Sequence, residues 1–157
     1  QPFNVSAPYG IVKHTIENYL EYFGNSTIVR LATVYGPGQT GGAMADYIRK
    51  LLLGEQAIIY GFKTRDYVYI DDVIDANLHA LENYYEFHFY YYEVGSGEAR
   101  LFEDVMTLLG LDYIYTSEED IPKGYQFNTV SNKNKWMKGW EPKFNLEMGL
   151  DDYLKKN

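Results

Sequence analysis

The sequence predicts an α/β fold. Segments of helical period alternate with short β-branched apolar runs along its whole length, and glycine-bearing turns separate them. Its size and balance agree: 157 residues, 46% hydrophobic and 23% charged, are ordinary for one globular domain. A chain of this length can bury about 68–70% of its unfolded surface, so it needs no disulfide or metal to fold.

Taken in order, Tyr9 to Phe23 reads as a helix, because Val12, Ile16, Tyr19, Leu20 and Phe23 recur at steps of three and four. Ser6-Ala7-Pro8 supplies its start signal and Gly24-Asn25 its stop. Thr27 to Tyr35 is a β-branched apolar run of the kind found in a buried strand. Gly36 to Gly42 forms a loop, and Ala43 to Leu53 a second helix closed by Gly54. Ala57–Tyr60 and Tyr67–Ile70 are expected as short strands around a turn at Gly61–Asp66. Asp71-Asp72 then opens a helix, with Val73, Ala76, Ala80 and the pair Leu78/Leu81 on its apolar side. Acidic residues there suit the positive end of the helix dipole. Tyr90–Val94 is a strand running into Gly95-Ser96-Gly97. Leu101–Leu109 is helical, Tyr113–Thr116 a strand, Lys133–Lys138 a short helix and Leu146–Leu154 the last helix.

Composition narrows the function classes. A net charge of −8 opposes general affinity for nucleic acid or an anionic membrane, so neither is expected as a partner. The aromatic cluster Tyr84 to Tyr92 is therefore assigned to packing rather than to stacking on bases. No apolar run approaches the roughly 20 residues that cross a bilayer. The absence of cysteine excludes thiol catalysis and thiolate metal sites, and fits a reducing, cytoplasmic setting. His14, His79 and His88 are too scattered to hold a metal. The chain starts at Gln1 without Met and without a basic apolar leader. A fragment is the expectation.

Gly36-Pro37-Gly38-Gln39-Thr40-Gly41 matches G-x-G-x-x-G between a strand and a helix, the arrangement of a dinucleotide fingerprint. Three features argue against that use. Pro37 removes an amide donor where phosphate oxygens want one. Glu55, at the right spacing for the ribose acid, precedes its strand. The match also lies downstream of the Tyr9 helix, in mid-domain. The loop is better read as closing a strand at the mouth of a site.

Several ordered segments carry a resemblance. Ala7-Pro8-Tyr9-Gly10-Ile11-Val12-Lys13 resembles S-P-Y-G-x-S-K, and Arg30 to Gln39 resembles R-x-x-N-V-Y-G-P-x-x. Thr64 to Val73 resembles R-D-F-V-Y-V-D-D-V. Tyr92 to Gly97 and Gly139 to Lys143 resemble N-I-G-S-G and G-W-x-P-x. Together they are similar to the C-terminal half of an extended short-chain dehydrogenase/reductase, of the nucleotide-sugar epimerase/dehydratase family. The resemblance implies the C-terminal part of a doubly wound, Rossmann-like sheet plus a small α/β substrate-binding subdomain. The dinucleotide-binding half, with its early G-x-x-G-x-x-G, would lie before Gln1.

The resemblance also implies roles. Tyr9 would be the acid/base, and Lys13, one turn on along the same face, the cation that favours the phenolate and holds the ribose of NAD or NADP. Ala32 would lie beside the nicotinamide and Thr33 at the sugar, where the family more often has Asn. Gln39 would line the sugar pocket. Arg65, one of four arginines against ten lysines, would bind the diphosphate, for which a guanidinium fork is well shaped; a salt bridge to the Asp71/Asp72 end is its alternative. Lys123, in Ile121-Pro122-Lys123-Gly124, would weakly replace the family's Arg-Pro-Gly turn, and Val130 stands where Asp is usual. Asp72 is expected to cap its helix and Asp66 to orient its neighbours. A nucleotide-diphosphate sugar is the implied ligand. Tyr19, Tyr22 and Phe23 would serve a helix-to-helix homodimer. A non-catalytic module that binds nucleotide-sugar or dimerises, or one chain of a split enzyme, stays open beside the enzyme reading.

Overall fold

The structure is a computed structural model that describes residues 8–88, 90–121 and 128–156. Its mixed α/β character follows the alternation seen in the sequence. The elements run α1 (Pro8–Phe23), β1 (Ile28–Leu31), β2 (Thr33–Tyr35), α2 (Ala43–Leu53), β3 (Ala57–Ile59), β4 (Thr64–Tyr69), α3 (Ile70–Glu82) and α4 (Tyr84–Phe87). They continue through β5 (Tyr91–Val94), β6 (Ala99–Leu101), α5 (Phe102–Leu109), β7 (Tyr113–Tyr115) and α6 (Leu146–Lys155), with 3-10 turns at Glu118–Asp120 and Lys133–Lys135.

Pairing is mostly parallel. β1 lies beside β5, β2 beside β4, and β3 beside β7, while β6 joins the far edge of β4 in antiparallel sense. The expected strand Thr27–Tyr35 is divided at Ala32, whose N–H donates to Val94 O at 2.8 Å. Before that residue the chain follows β5; after it, β4. The expected turn at Gly61–Asp66 also ends early, because Thr64, Arg65 and Asp66 already pair with Leu101, Arg100 and Ala99.

β4 is buried on both faces, as strands between two layers are. Tyr67 and Tyr69 join one core with Tyr35, Met44, Ile48, Phe102, Val105 and Leu150. Val68 points the other way, into a second core with Val73, Ala76, Ala80, Val94, Met137 and Trp140. Leu78 and Leu81 do not share that core; both are exposed. Val73, Ala76 and Ala80 already fill the face of α3 that meets the sheet, and the two leucines point off it.

α1 differs from the other long helices: none of its described residues is buried. It turns back into β1 through Gly24 and Asn25, both at positive φ (64° and 57°). Asn tolerates that left-handed conformation better than most side chains.

Candidate functional site

Tyr9 and Lys13 project from the first two turns of α1. Tyr9 is 74% exposed, and the Lys13 ammonium lies 5.5 Å from the centre of its ring. Among the described residues Lys13 pairs with no carboxylate, which leaves its three donors for a ligand. An exposed phenol beside an uncommitted ammonium fits the ribose and hydroxyl contacts that a nicotinamide dinucleotide would need. Ser26 Oγ donates to Leu20 O, and further on Arg30 donates to Glu17, so β1 runs back along α1 and its C-terminal end, followed by Ala32 and Thr33, lies toward the N-terminal end of the helix.

Ala32 is the break between β1 and β2, and Thr33 is the first residue of β2. Thr33 sits opposite Tyr67 of β4. Arg65, two residues earlier on β4, is thus about 7 Å along the neighbouring strand. Arg65 is inside that strand rather than ahead of it. Its Nη1 donates to Thr64 O at 3.0 Å, and its guanidinium lies 5.8 Å from the Phe102 ring centre. Its antiparallel partner is Arg100, which is held by Glu147 at 2.7 Å and Asp104 at 3.5 Å. Arg100 is therefore compensated by two carboxylates and lies beside Arg65 as a neutralised neighbour.

Gln39 follows β2 on the glycine-rich loop. Its Nε2 donates to Val34 O at 3.4 Å, and its Oε1 is buried with no partner among the described residues. Together with Thr40, Asp46, Arg49 and Tyr153 it lines a cleft of about 430 Å³. Lys123 lies outside the described residues.

The two candidate carboxylates are structural. Asp66 is fully buried. Its Oδ1 accepts from Ser96 N (2.7 Å) and Ser96 Oγ (2.8 Å), and its Oδ2 from Gly97 N (3.1 Å) and Ser131 N (2.8 Å). That binds β4 to the loop after β5 and to residue 131, as expected of a residue that orients its neighbours. Gly95 is needed there, since a Cβ on it would lie 2.5 Å from both Asp66 Oδ2 and Ser131 Oγ. Asp72 does not cap α3. The helix starts two residues earlier, at Ile70, and Asp72 instead accepts from Lys143 N (2.8 Å) and Phe144 N (3.0 Å). Burial raises its pKa, and those two N–H groups oppose the rise.

Reading the sequence did not foresee the contact that ties α1 to the sheet. Arg30 Nε and Nη2 donate to Glu17 Oε1 and Oε2, both at 2.8 Å. Arg30 also lies over Tyr91 of β5, 4.1 Å from the ring centre. Its pKa is raised, chiefly by the Glu17 hydrogen bond. Glu17 falls four residues after Lys13 and eight after Tyr9, and that spacing was the available signal.

Comparison with known proteins places this geometry in context. A family model described as the NAD dependent epimerase/dehydratase family matches residues 1–95. The chain is 30% identical over 166 residues to the CDP-abequose synthase of Salmonella typhimurium, covering 95% of this chain and 56% of that protein. It is 27% identical over 174 residues to a putative UDP-glucose 4-epimerase of Methanocaldococcus jannaschii, covering 99% and 56%. Among solved structures, the UDP-glucose 4-epimerase of Thermotoga maritima, crystallised with UDP-glucose, is similar with TM-score 0.77 and 32% identity, over 95% of this chain and 52% of that one. The fold also matches the UDP-glucuronic acid 4-epimerase of Bacillus cereus, in complex with UDP-glucuronic acid and NAD, with TM-score 0.85 and 24% identity over 99% and 54%. The chain spans about half the length of the relatives it matches.

Proposed function

The chain belongs to the NAD-dependent epimerase/dehydratase family, and from that premise we propose that it forms the C-terminal, substrate-binding part of an enzyme that oxidises a nucleotide-sugar hydroxyl. Residues outside these 157 supply the dinucleotide-binding part. NAD or NADP, held in part by Lys13 at its ribose, would supply the hydride acceptor. The observation that supports this reading is the exposed Tyr9–Lys13 pair on α1, the helix whose Glu17 is bound by Arg30 of β1, two residues before Ala32.

Tyr9, as phenolate, takes the proton from the sugar hydroxyl and later gives it back, which is general acid–base catalysis. The Lys13 ammonium favours the phenolate and donates to ribose hydroxyls. Ala32 offers the small side chain that a flat ring beside it requires, and Thr33 and Gln39 offer polar contacts to the sugar. Arg65 pairs with the diphosphate, and Lys123 adds a second, weaker cation.

The test is calorimetric titration of UDP-glucose into the protein and into Arg65→Ala. A charge-assisted hydrogen bond contributes about 1.5–3 kcal/mol, so binding should weaken by about 10- to 100-fold. Equal affinity in the two proteins would remove Arg65 from the site.

One observation favours a second reading. α1 exposes Ile16, Tyr19, Tyr22 and Phe23, a surface suited to a second copy of the chain. A binding or dimerisation module would take up nucleotide-sugar, lose it on Arg65→Ala, and show no turnover that Tyr9→Phe affects.

A further inference from the structure

We infer that Arg30 and Glu17 form a positioning pair that aligns the Tyr9–Lys13 face of α1 with the strand carrying Ala32 and Thr33; this rests on the enzyme reading above. Within this chain α1 has no fully buried residue and only Gly10, His14, Glu17 and Leu20 are half-buried, so side-chain burial fixes its rotation about its own axis weakly. A two-point contact can do so. Arg30 presents two parallel N–H donors to both oxygens of Glu17, at 2.8 Å each, and this fork geometry is directional as well as strong. The guanidinium is itself held in place by Tyr91, 4.1 Å below it. The strand end of the pair is therefore anchored to β5 as well as to β1.

The distances work out. Tyr9, Lys13 and Glu17 follow one another at steps of four, so they form one slowly drifting stripe on the helix. From Glu17 back to Tyr9 is eight residues, about 12 Å of helix. From Arg30 on to Thr33 is three residues, about 10 Å of strand. Because α1 and β1 are antiparallel, both paths lead to the same end of the molecule. A contact between Glu17 and Arg30 therefore brings Tyr9 and Thr33 to nearly one level. Both partners are partly shielded, at 22% and 20% exposure, which lessens screening by salt.

Reacting groups displaced by about 1 Å can lose about 10²-fold in rate. The test uses the chain joined to a dinucleotide-binding half, with UDP-glucose as substrate and kcat expressed per folded protein. Glu17→Gln and Arg30→Gln should each lower kcat about 10- to 100-fold, with KM for UDP-glucose within about twofold. The exchanged pair, Glu17→Arg with Arg30→Glu, should recover at least a tenth of the original kcat. Hydrogen exchange in α1 gives a second readout without turnover: each single variant should speed exchange there, and the exchanged pair should slow it again. The inference fails if Tyr9→Phe abolishes turnover while Glu17→Gln keeps full kcat, or if the exchanged pair recovers neither kcat nor protection. If Tyr9→Phe itself leaves turnover intact, the enzyme reading fails instead. A variant that does not fold is replaced by Arg30→Lys, which keeps the charge and loses the fork, and the same fall in kcat is expected.

Discussion

Replacing Asp66 with alanine should destabilise the protein far more than any single surface charge. Asp66 is fully buried and accepts four hydrogen bonds, from Ser96 N, Ser96 Oγ, Gly97 N and Ser131 N. Ser96 Oγ has another outlet, since it also reaches Glu98 O at 3.4 Å. The three backbone N–H groups lose the carboxylate outright. An unsatisfied buried donor costs about 1–3 kcal/mol; these three are only partly buried, so each should cost about 1–2 kcal/mol and the three together about 3–6 kcal/mol. A domain of this size has about 5–15 kcal/mol of total stability, so the variant should be marginal. Urea unfolding followed by far-UV circular dichroism measures the loss, and the thermal midpoint should fall by roughly 10 °C or more. Glu98→Ala, an exposed acid in the same loop, is the control and should stay within about 0.5 kcal/mol. If Asp66→Ala unfolds within about 1 kcal/mol of the original, the carboxylate is not what holds β4 to the loops around it.

Three more expectations follow the same logic. Lys13→Met should lower kcat of the joined enzyme by about 10²-fold, because one cation 5.5 Å from the phenol ring at an effective dielectric of about 20 contributes about 3 kcal/mol before screening; steady-state kinetics decides it. Glu147 has its pKa lowered, first by its hydrogen bond from Arg100, so its stabilisation is present above the ordinary carboxylate range near 4.3 and is lost as pH falls through the lowered value. Glu147→Gln should accordingly cost about 0.5 kcal/mol at neutral pH and nothing at the acid end, which urea midpoints across pH would trace. Gly149→Ala should cost about 1–3 kcal/mol by overpacking, since a Cβ there would collide with Tyr35 Oη and lie 2.8 Å from Tyr35 Cζ and 3.0 Å from Tyr69 Cδ2.

Local signals were legible in the sequence and long-range ones were not. The helix from Ala43 to Leu53 was readable to the residue, because its periodicity and the Gly54 stop lie within the segment itself. The division of Thr27–Tyr35 at Ala32 was hidden. A run of β-branched residues records that a strand is buried, and does not record which partner it follows. Asp72 carries the type and place of a cap, yet its acceptor oxygens meet residues 143 and 144, some seventy positions away. The candidate site shows the same division. Tyr9 and Lys13 stood out as candidates because they lie one turn apart on one helix, in a segment that resembles a family motif. Glu17 and Arg30 meet across a turn, and neither advertises the other. The G-x-G-x-x-G match at Gly36 falls between β2 and α2, and Gln39 to Gly42 of that loop line a cleft.

The most direct test of the central claim is hydride transfer by the chain joined to a dinucleotide-binding half, followed as nicotinamide absorbance in a single turnover with UDP-glucose, for the original protein and for Tyr9→Phe. Losing a general acid–base group costs about 10²- to 10⁴-fold. The account predicts a fall of that size with UDP-glucose affinity unchanged. A Tyr9→Phe protein that transfers hydride at the original rate would contradict it.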